Sequence, residues 1–129
     1  MVCLDTDFLI AYMKGDTAAV KKLREVHEGG MASANTTVIN AFELYKGAFG
    51  STKQNEVSKV GRLLDIFNIL HLDHDVSKMA GEIYSKLRTN PIEEADVLIA
   101  SIALANNQTL ITRNIRHFKR VPDLAVESW

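Results

Sequence analysis

Residues 96–106 form a segment that is apolar on almost every side, and this constrains the fold more than any other stretch. A helix with no polar face cannot lie on a surface, so other elements of the chain have to enclose it. It is also far too short to span a bilayer. Val2-Cys3-Leu4 makes a matching demand, because a short unbroken apolar run reads as a strand buried on both faces. The rest of the chain must supply covering layers, and 129 residues are enough for one domain over 1–129.

Helical and strand patterns then alternate. Asp7 is the expected N-cap of a helix over 8–13, and Asp16 that of a helix carrying Ala19, Val20, Leu23 and Val26, ended by Gly29-Gly30. A strand is expected over 31–34. The helix over 37–49 should turn Val38, Ala41, Phe42, Tyr45 and Phe49 inward. Another helix carries Val57, Val60, Leu64 and Phe67 and leads to a strand over 69–72. Asp75 is the expected cap of a helix through Val76, Ala80, Ile83 and Leu87 that ends at Asn90-Pro91. Strands over 109–112 and 124–127 complete an α/β pattern with a mainly parallel sheet covered on both faces. In such sheets the functional crevice lies beyond the carboxyl ends of the strands. Asp5 and the run Thr112-Arg113-Asn114 fall there.

The formal net charge of −1 provides no global positive field, so a nucleic acid would have to be held by a local patch or through metal. Cys3 is the only cysteine, which excludes an internal disulfide and a cysteine-rich zinc module; its apolar surroundings make it a small core residue. Asp5 and Asp7 interrupt the first apolar stretch too early for a signal peptide, so the cytoplasm is the expected location.

Three acids stand out. Asp5 directly follows a buried strand, where a turn or capping aspartate is the plainer alternative. Glu43 has mixed helical neighbours and, taken alone, reads as a solvated residue paired with Lys46. Asp96 opens the enclosed helix, where the helix dipole favours an acid. Yet an ionised carboxylate entering the protein there needs a cation or strong donors, and Glu93 and Glu94 only add negative charge. A divalent metal answers that conflict better than a salt bridge.

Five blocks carry a resemblance. Leu4-Asp5-Thr6-Asp7-Phe8-Leu9-Ile10 is similar to the opening LDT[ND]xLI of the PIN domain, and the glutamate block Phe42-Glu43-Leu44-Tyr45-Lys46-Gly47 to its second block. Asp96-Val97-Leu98-Ile99-Ala100-Ser101 resembles D-x-LIA-[AS], and Thr112-Arg113-Asn114-Ile115-Arg116-His117-Phe118 resembles T-x-[ND]-x-x-x-F. Leu124-Ala125-Val126-Glu127-Ser128-Trp129 is like the usual ending. The blocks stand in family order along the chain, and the nearest likeness is to VapC-type toxins of VapBC toxin–antitoxin pairs. The resemblance implies a three-layer α/β/α sandwich with a five-stranded sheet and a divalent-metal-dependent endoribonuclease that hydrolyses RNA phosphodiesters. It further implies Mg²⁺ or Mn²⁺ on Asp5, Asp96 and Glu43, a cognate antitoxin whose tail fills the active-site groove, and a homodimer. Phe8, Tyr12 and Phe49 are candidates for that groove, with core packing the simpler expectation for each. Asn114 stands where many PIN domains carry a fourth acid, so it would orient water, and a second metal would bind weakly. Thr6 and Thr112 are the expected supporting hydroxyls, while Asp7 is a helix cap or returns charge to the site. Arg113, Arg116, Lys119 and Arg120, with His117 among them, form a basic cluster that either binds RNA or is a solvated turn.

Other readings are weaker. Asp5-Thr6-Asp7 resembles the D-x-D of haloacid-dehalogenase phosphatases, but Leu9 stands where that motif wants threonine or valine. A response-receiver module could use Asp73 as phosphoacceptor, yet would leave Glu43 and Asp96 unexplained. A PIN scaffold without activity would have no need of all three acids. His71, Asp73, His74 and Asp75 crowd one strand end and turn, where a helix cap is expected instead of a metal cluster.

Overall fold

The computed structural model describes residues 1–29 and 34–129. Five strands form one sheet in the order β3-β2-β1-β4-β5, all parallel: β1 (Val2–Leu4), β2 (Ala34–Thr37), β3 (Asn68–Leu70), β4 (Thr109–Ile111) and β5 (Val126–Glu127). The helices are α1 (Thr6–Met13), α2 (Thr17–Glu28), α3 (Val38–Phe49), α4 (Glu56–Leu64), α5 (His74–Lys86), α6 (Glu94–Ala105) and α7 (Ile115–Phe118). Strand alternation divides the core. Val2, Leu4 and Ile111 pack with α1 to α4, while Cys3 and Leu110 pack with α5 and α6. This is the expected three-layer α/β/α sandwich, and in α6 Ile99, Ala100, Ile102 and Ala103 are fully enclosed.

β2 differs most from expectation. Residues 31–33 lie outside the described residues, and the strand runs from Ala34 through Asn35, Thr36 and Thr37, a polar sequence buried throughout. The side chains make that burial tolerable. Asn35 Nδ2 donates to the Val2 carbonyl (3.1 Å) and to Gln108 Oε1 (2.8 Å), and Thr36 Oγ1 donates to the Leu4 carbonyl (2.8 Å).

Capping accounts for other corrections. Asp5 caps α1, its Oδ1 accepting from Thr6 N (2.9 Å), so Asp7 lies inside the first turn. Asp73 caps α5 by accepting from Val76 N (2.9 Å), which displaces Asp75 into the helix. β3 begins at Asn68 and ends at Leu70, and Phe67 packs in the core just after α4 ends. α3 is rotated from the expected face. Asn40, Ala41, Leu44 and Ala48 point inward, whereas Phe42 is 61% and Phe49 75% exposed. The aromatic rings suggested a stripe, but the small residues let α3 lie close to its neighbours.

Candidate active site

β1 is the middle strand, flanked by β2 and β4, so its end and that of β4 open side by side at the sheet's carboxyl edge. Asp5 N donates to the Ile111 carbonyl (3.0 Å), which carries the ladder one step past β1 and fixes where the Asp5 side chain emerges. Asp5 is buried and receives three donors. Thr6 N and Asn40 Nδ2 (3.0 Å) reach Oδ1, and the Thr112 hydroxyl reaches Oδ2 (2.7 Å). Even so, its carboxyl is pushed up to about 6: burial is the main cause, with Asp7 and Asp96 adding repulsion against the bonds from Thr112 and Thr6.

Asn40 organises the β1–α3 side. It is fully buried on α3, and its Nδ2 also donates to Thr6 Oγ1 (2.9 Å), while its Oδ1 accepts from the Thr37 hydroxyl (2.6 Å). The Thr6 hydroxyl, so engaged, donates to Glu43 Oε1 (2.7 Å). Glu43 thus faces the site, and Lys46 instead lies over the Phe42 ring (5.6 Å). Asp96, half-buried in the first turn of α6, is held above the ordinary carboxylate range by burial first, then by Glu93 and Glu43. His117 opposes that shift, with Nδ1 3.7 Å from Asp96 Oδ2.

The Thr112 hydroxyl has one proton and several neighbours. It donates to Asp5 over the short distance, accepts from Asn114 N (3.0 Å) and lies 3.3 Å from Asp7 Oδ2. Asp7 Oδ2 also accepts from Arg113 N (3.0 Å), while Asp7 Oδ1 is buried without a hydrogen-bond partner. Asp7 therefore ties α1 to the end of β4 and does not cap its helix. Asn114 Nδ2 lies 3.0 Å from His117 Nδ1, which leaves the amide oxygen free of protein hydrogen bonds among the described residues.

The expected basic turn is the one-turn helix α7, anchored by buried Phe118. Arg116 and Lys119 point to solvent, Arg120 Nη1 donates to the Pro91 carbonyl (3.0 Å), and Arg113 stacks on Trp129 (4.3 Å to the ring centroid). Of the groove candidates, Phe8 is fully buried and meets Trp129 edge-on (5.1 Å), Tyr12 is half-buried against the core, and Phe49 is exposed. Sequence reasoning missed Asn40 and passed over His117 as part of a charged run. A buried Asn three residues before Glu43, in a Thr37-x-x-Asn40 capping box, was the available signal for the first.

Among the described residues no three His, Cys, Asp or Glu side chains converge tightly enough to hold a metal ion as they stand. Their chemistry nevertheless fits a hard divalent cation. Asp5, Glu43 and Asp96 offer oxygen donors and repel one another, no Lys or Arg pairs with them among the described residues, and Asp7 keeps an unpartnered buried oxygen beside Asp5.

The chain is thus a parallel α/β sandwich with Asp5, Glu43 and Asp96, from the end of β1, from α3 and from α6, on the side of the sheet's carboxyl edge. The PIN domain family matches residues 2–124. Ribonuclease VapC2 of Rickettsia felis is 35% identical over 105 residues, covering 77% of this chain and 78% of the relative. The crystal structure of VapBC2 from Rickettsia felis bound to a promoter DNA fragment superposes with a TM-score of 0.90 at 29% identity, over 100% of this chain and 99% of that one. VapBC-1 from nontypeable Haemophilus influenzae gives 0.86 at 30% identity, over 100% and 98%. The chain belongs to the PIN-domain family, in its VapC branch.

Proposed function

We propose that this chain is a divalent-metal-dependent endoribonuclease, the toxin of a toxin–antitoxin pair, acting in the cytoplasm. One observation carries the reading: Asp5, Glu43 and Asp96 come from three separate elements to one sheet edge, where the carboxyls of Asp5 and Asp96 are raised and, among the described residues, no Lys or Arg answers them. Asp5, Asp96 and Glu43 would hold the Mg²⁺ or Mn²⁺. When bound, the cation supplies Lewis-acid activation of water and offsets charge on the phosphate.

The chain's own groups do the rest. Thr112, Asn40 and Thr6 hold Asp5 with its oxygens aimed past the strand end, and Thr6 orients Glu43. Glu43, held by the Thr6 hydroxyl, would take a proton from an attacking water. The free amide oxygen of Asn114 accepts from that water, while Asp7 secures the turn that presents it. Arg113, Arg116, Lys119 and Arg120, on the segment that follows β4, would supply the local positive charge that a net charge of −1 does not.

A partner has a seat beside this site. An open groove of about 230 Å³ between α1, α3 and α4 is lined by Ile10, Met13, Leu44, Ala48 and Val60 and reaches Glu43. We assign it to the antitoxin tail, in keeping with the likeness of this chain to VapBC2 and VapBC-1. Self-association into a homodimer would bury exposed Tyr84 beside the hollow formed by Ala80, Gly81 and Leu98.

RNA cleavage with Mg²⁺ or Mn²⁺, against a chelator control, tests the reading. Asp5→Ala, Asp96→Ala and Asp96→Asn should each lose at least about 100-fold in rate while keeping a native circular dichroism spectrum. Full activity in a folded Asp5→Ala/Asp96→Ala protein overturns it.

A further inference from the structure

Arg113 belongs to the site by its backbone and leaves it by its side chain. Its N–H is bonded to Asp7, and Thr112 before it is bonded to Asp5. The guanidinium then lies over the Trp129 indole, 4.3 Å from the ring centroid. Phe8, fully buried in α1, braces that indole edge-on. Arg113 is exposed, and among the described residues its guanidinium makes no hydrogen bond or ion pair. A flat cation is thus held by one face while all its edge donors remain unspent.

An exposed arginine with no partner ordinarily samples many rotamers. Stacking removes much of that freedom without consuming the N–H groups, and a preorganised fork is the geometry that takes phosphate oxygens in pairs. Trp129 also lines an open hollow of about 280 Å³, together with Ala18, Lys21, Lys22, Glu25 and Ser128. Lys22 is paired with Glu127, whereas Lys21 has no ion pair among the described residues and offers a second positive group.

We propose that Trp129 is a positioning residue for substrate: its indole fixes Arg113 so that the guanidinium grips a backbone phosphate flanking the scissile one. This rests on the ribonuclease reading and adds to it the direction in which one arm of the RNA leaves the acids, over α1 toward α2. The neighbouring nucleobase is not the group recognised.

The test measures binding of a single-stranded RNA to the Asp96→Asn protein as a function of salt. Each phosphate contact on a single strand contributes about 0.7 to the slope of log K against log salt. Arg113→Ala should flatten the slope by about that amount. Trp129→Leu, which removes no charge, should flatten it equally, Trp129→Phe should restore it, and the double variant should add nothing. A neutral methylphosphonate at the flanking linkage should reproduce the loss, and an abasic nucleotide there should not. Trp129 is the only tryptophan, so its emission should change on binding in the parent and not in the Arg113→Ala protein. Should Trp129→Leu fail to fold, Arg113→Lys decides: several-fold weaker binding despite the retained charge supports a stacked fork, and unchanged binding overturns it. An unaltered slope in folded Trp129→Leu, or a loss that follows the base, overturns the proposal alone. Absence of RNA binding in the parent overturns the ribonuclease reading and this proposal together.

Discussion

Asp5 shows how burial and repulsion set the behaviour of one carboxyl. Its folded value of about 6 lies above the ordinary 3.8, so between those values the folded protein keeps a proton that the unfolded chain has released. The stability this gives is complete below the unfolded value and is lost as pH rises through about 6. With chelator present, the stability of the parent relative to Asp5→Asn should fall by on the order of 3 kcal/mol between pH 4 and 7 in urea titrations. Asn40 makes a different prediction. Asn40→Ala strips donors from Asp5 and Thr6, so stability should drop by about 1–3 kcal/mol and cleavage by about 10–100-fold, even though Asn40 is not a proposed ligand. Asp5, Glu43 and Asp96 were legible because their local blocks carry recognisable patterns. Asn40 and His117 were not, because their meaning lies in contacts across α3 to α1 and α7 to α6 that no local pattern encodes.

At the scale of elements, apolar spacing located most helices but misjudged which face of α3 turns inward. Leu44 is 5% exposed and Phe42 61%, so Leu44→Ala should cost about 2–4 kcal/mol while Phe42→Ser stays within about 0.5 kcal/mol, measured by chemical denaturation. Caps were harder to assign. Two candidates stand two residues apart at both Asp5/Asp7 and Asp73/Asp75, and only the backbone direction at the strand's end chooses between them. The short α7 escaped notice because its buried anchor, Phe118, is surrounded by charge.

For the whole molecule, the alternation of strand and helix patterns already implied a parallel sheet, and an apolar α6 implied two covering layers. The placement of β2 was obscured because a buried strand of Asn and Thr has no hydrophobic signature; its burial depends on bonds to the β1 carbonyls and Gln108. The same centrality of β1 couples the site to global stability. A cation bound at 100 times its dissociation constant adds about 2.7 kcal/mol, so saturating Mn²⁺ should raise Tm by several degrees at pH 7. That rise should shrink below pH 6, where protons compete at Asp5, and vanish in Asp96→Asn, as read by differential scanning fluorimetry.

Cys3 lies fully enclosed in β1, two residues before Asp5, and its thiol is pushed far above the usual range by burial and by Asp5. Burial disfavours the thiolate there and shields the sulfur from reagents while the strand is in place. As the chain's only sulfhydryl, it can serve as a clock for the opening of the central strand. The rate at which a thiol reagent labels it counts how often β1 leaves the sheet, and a ligand that bridges Asp5 to Asp96 should slow that clock in proportion to its hold.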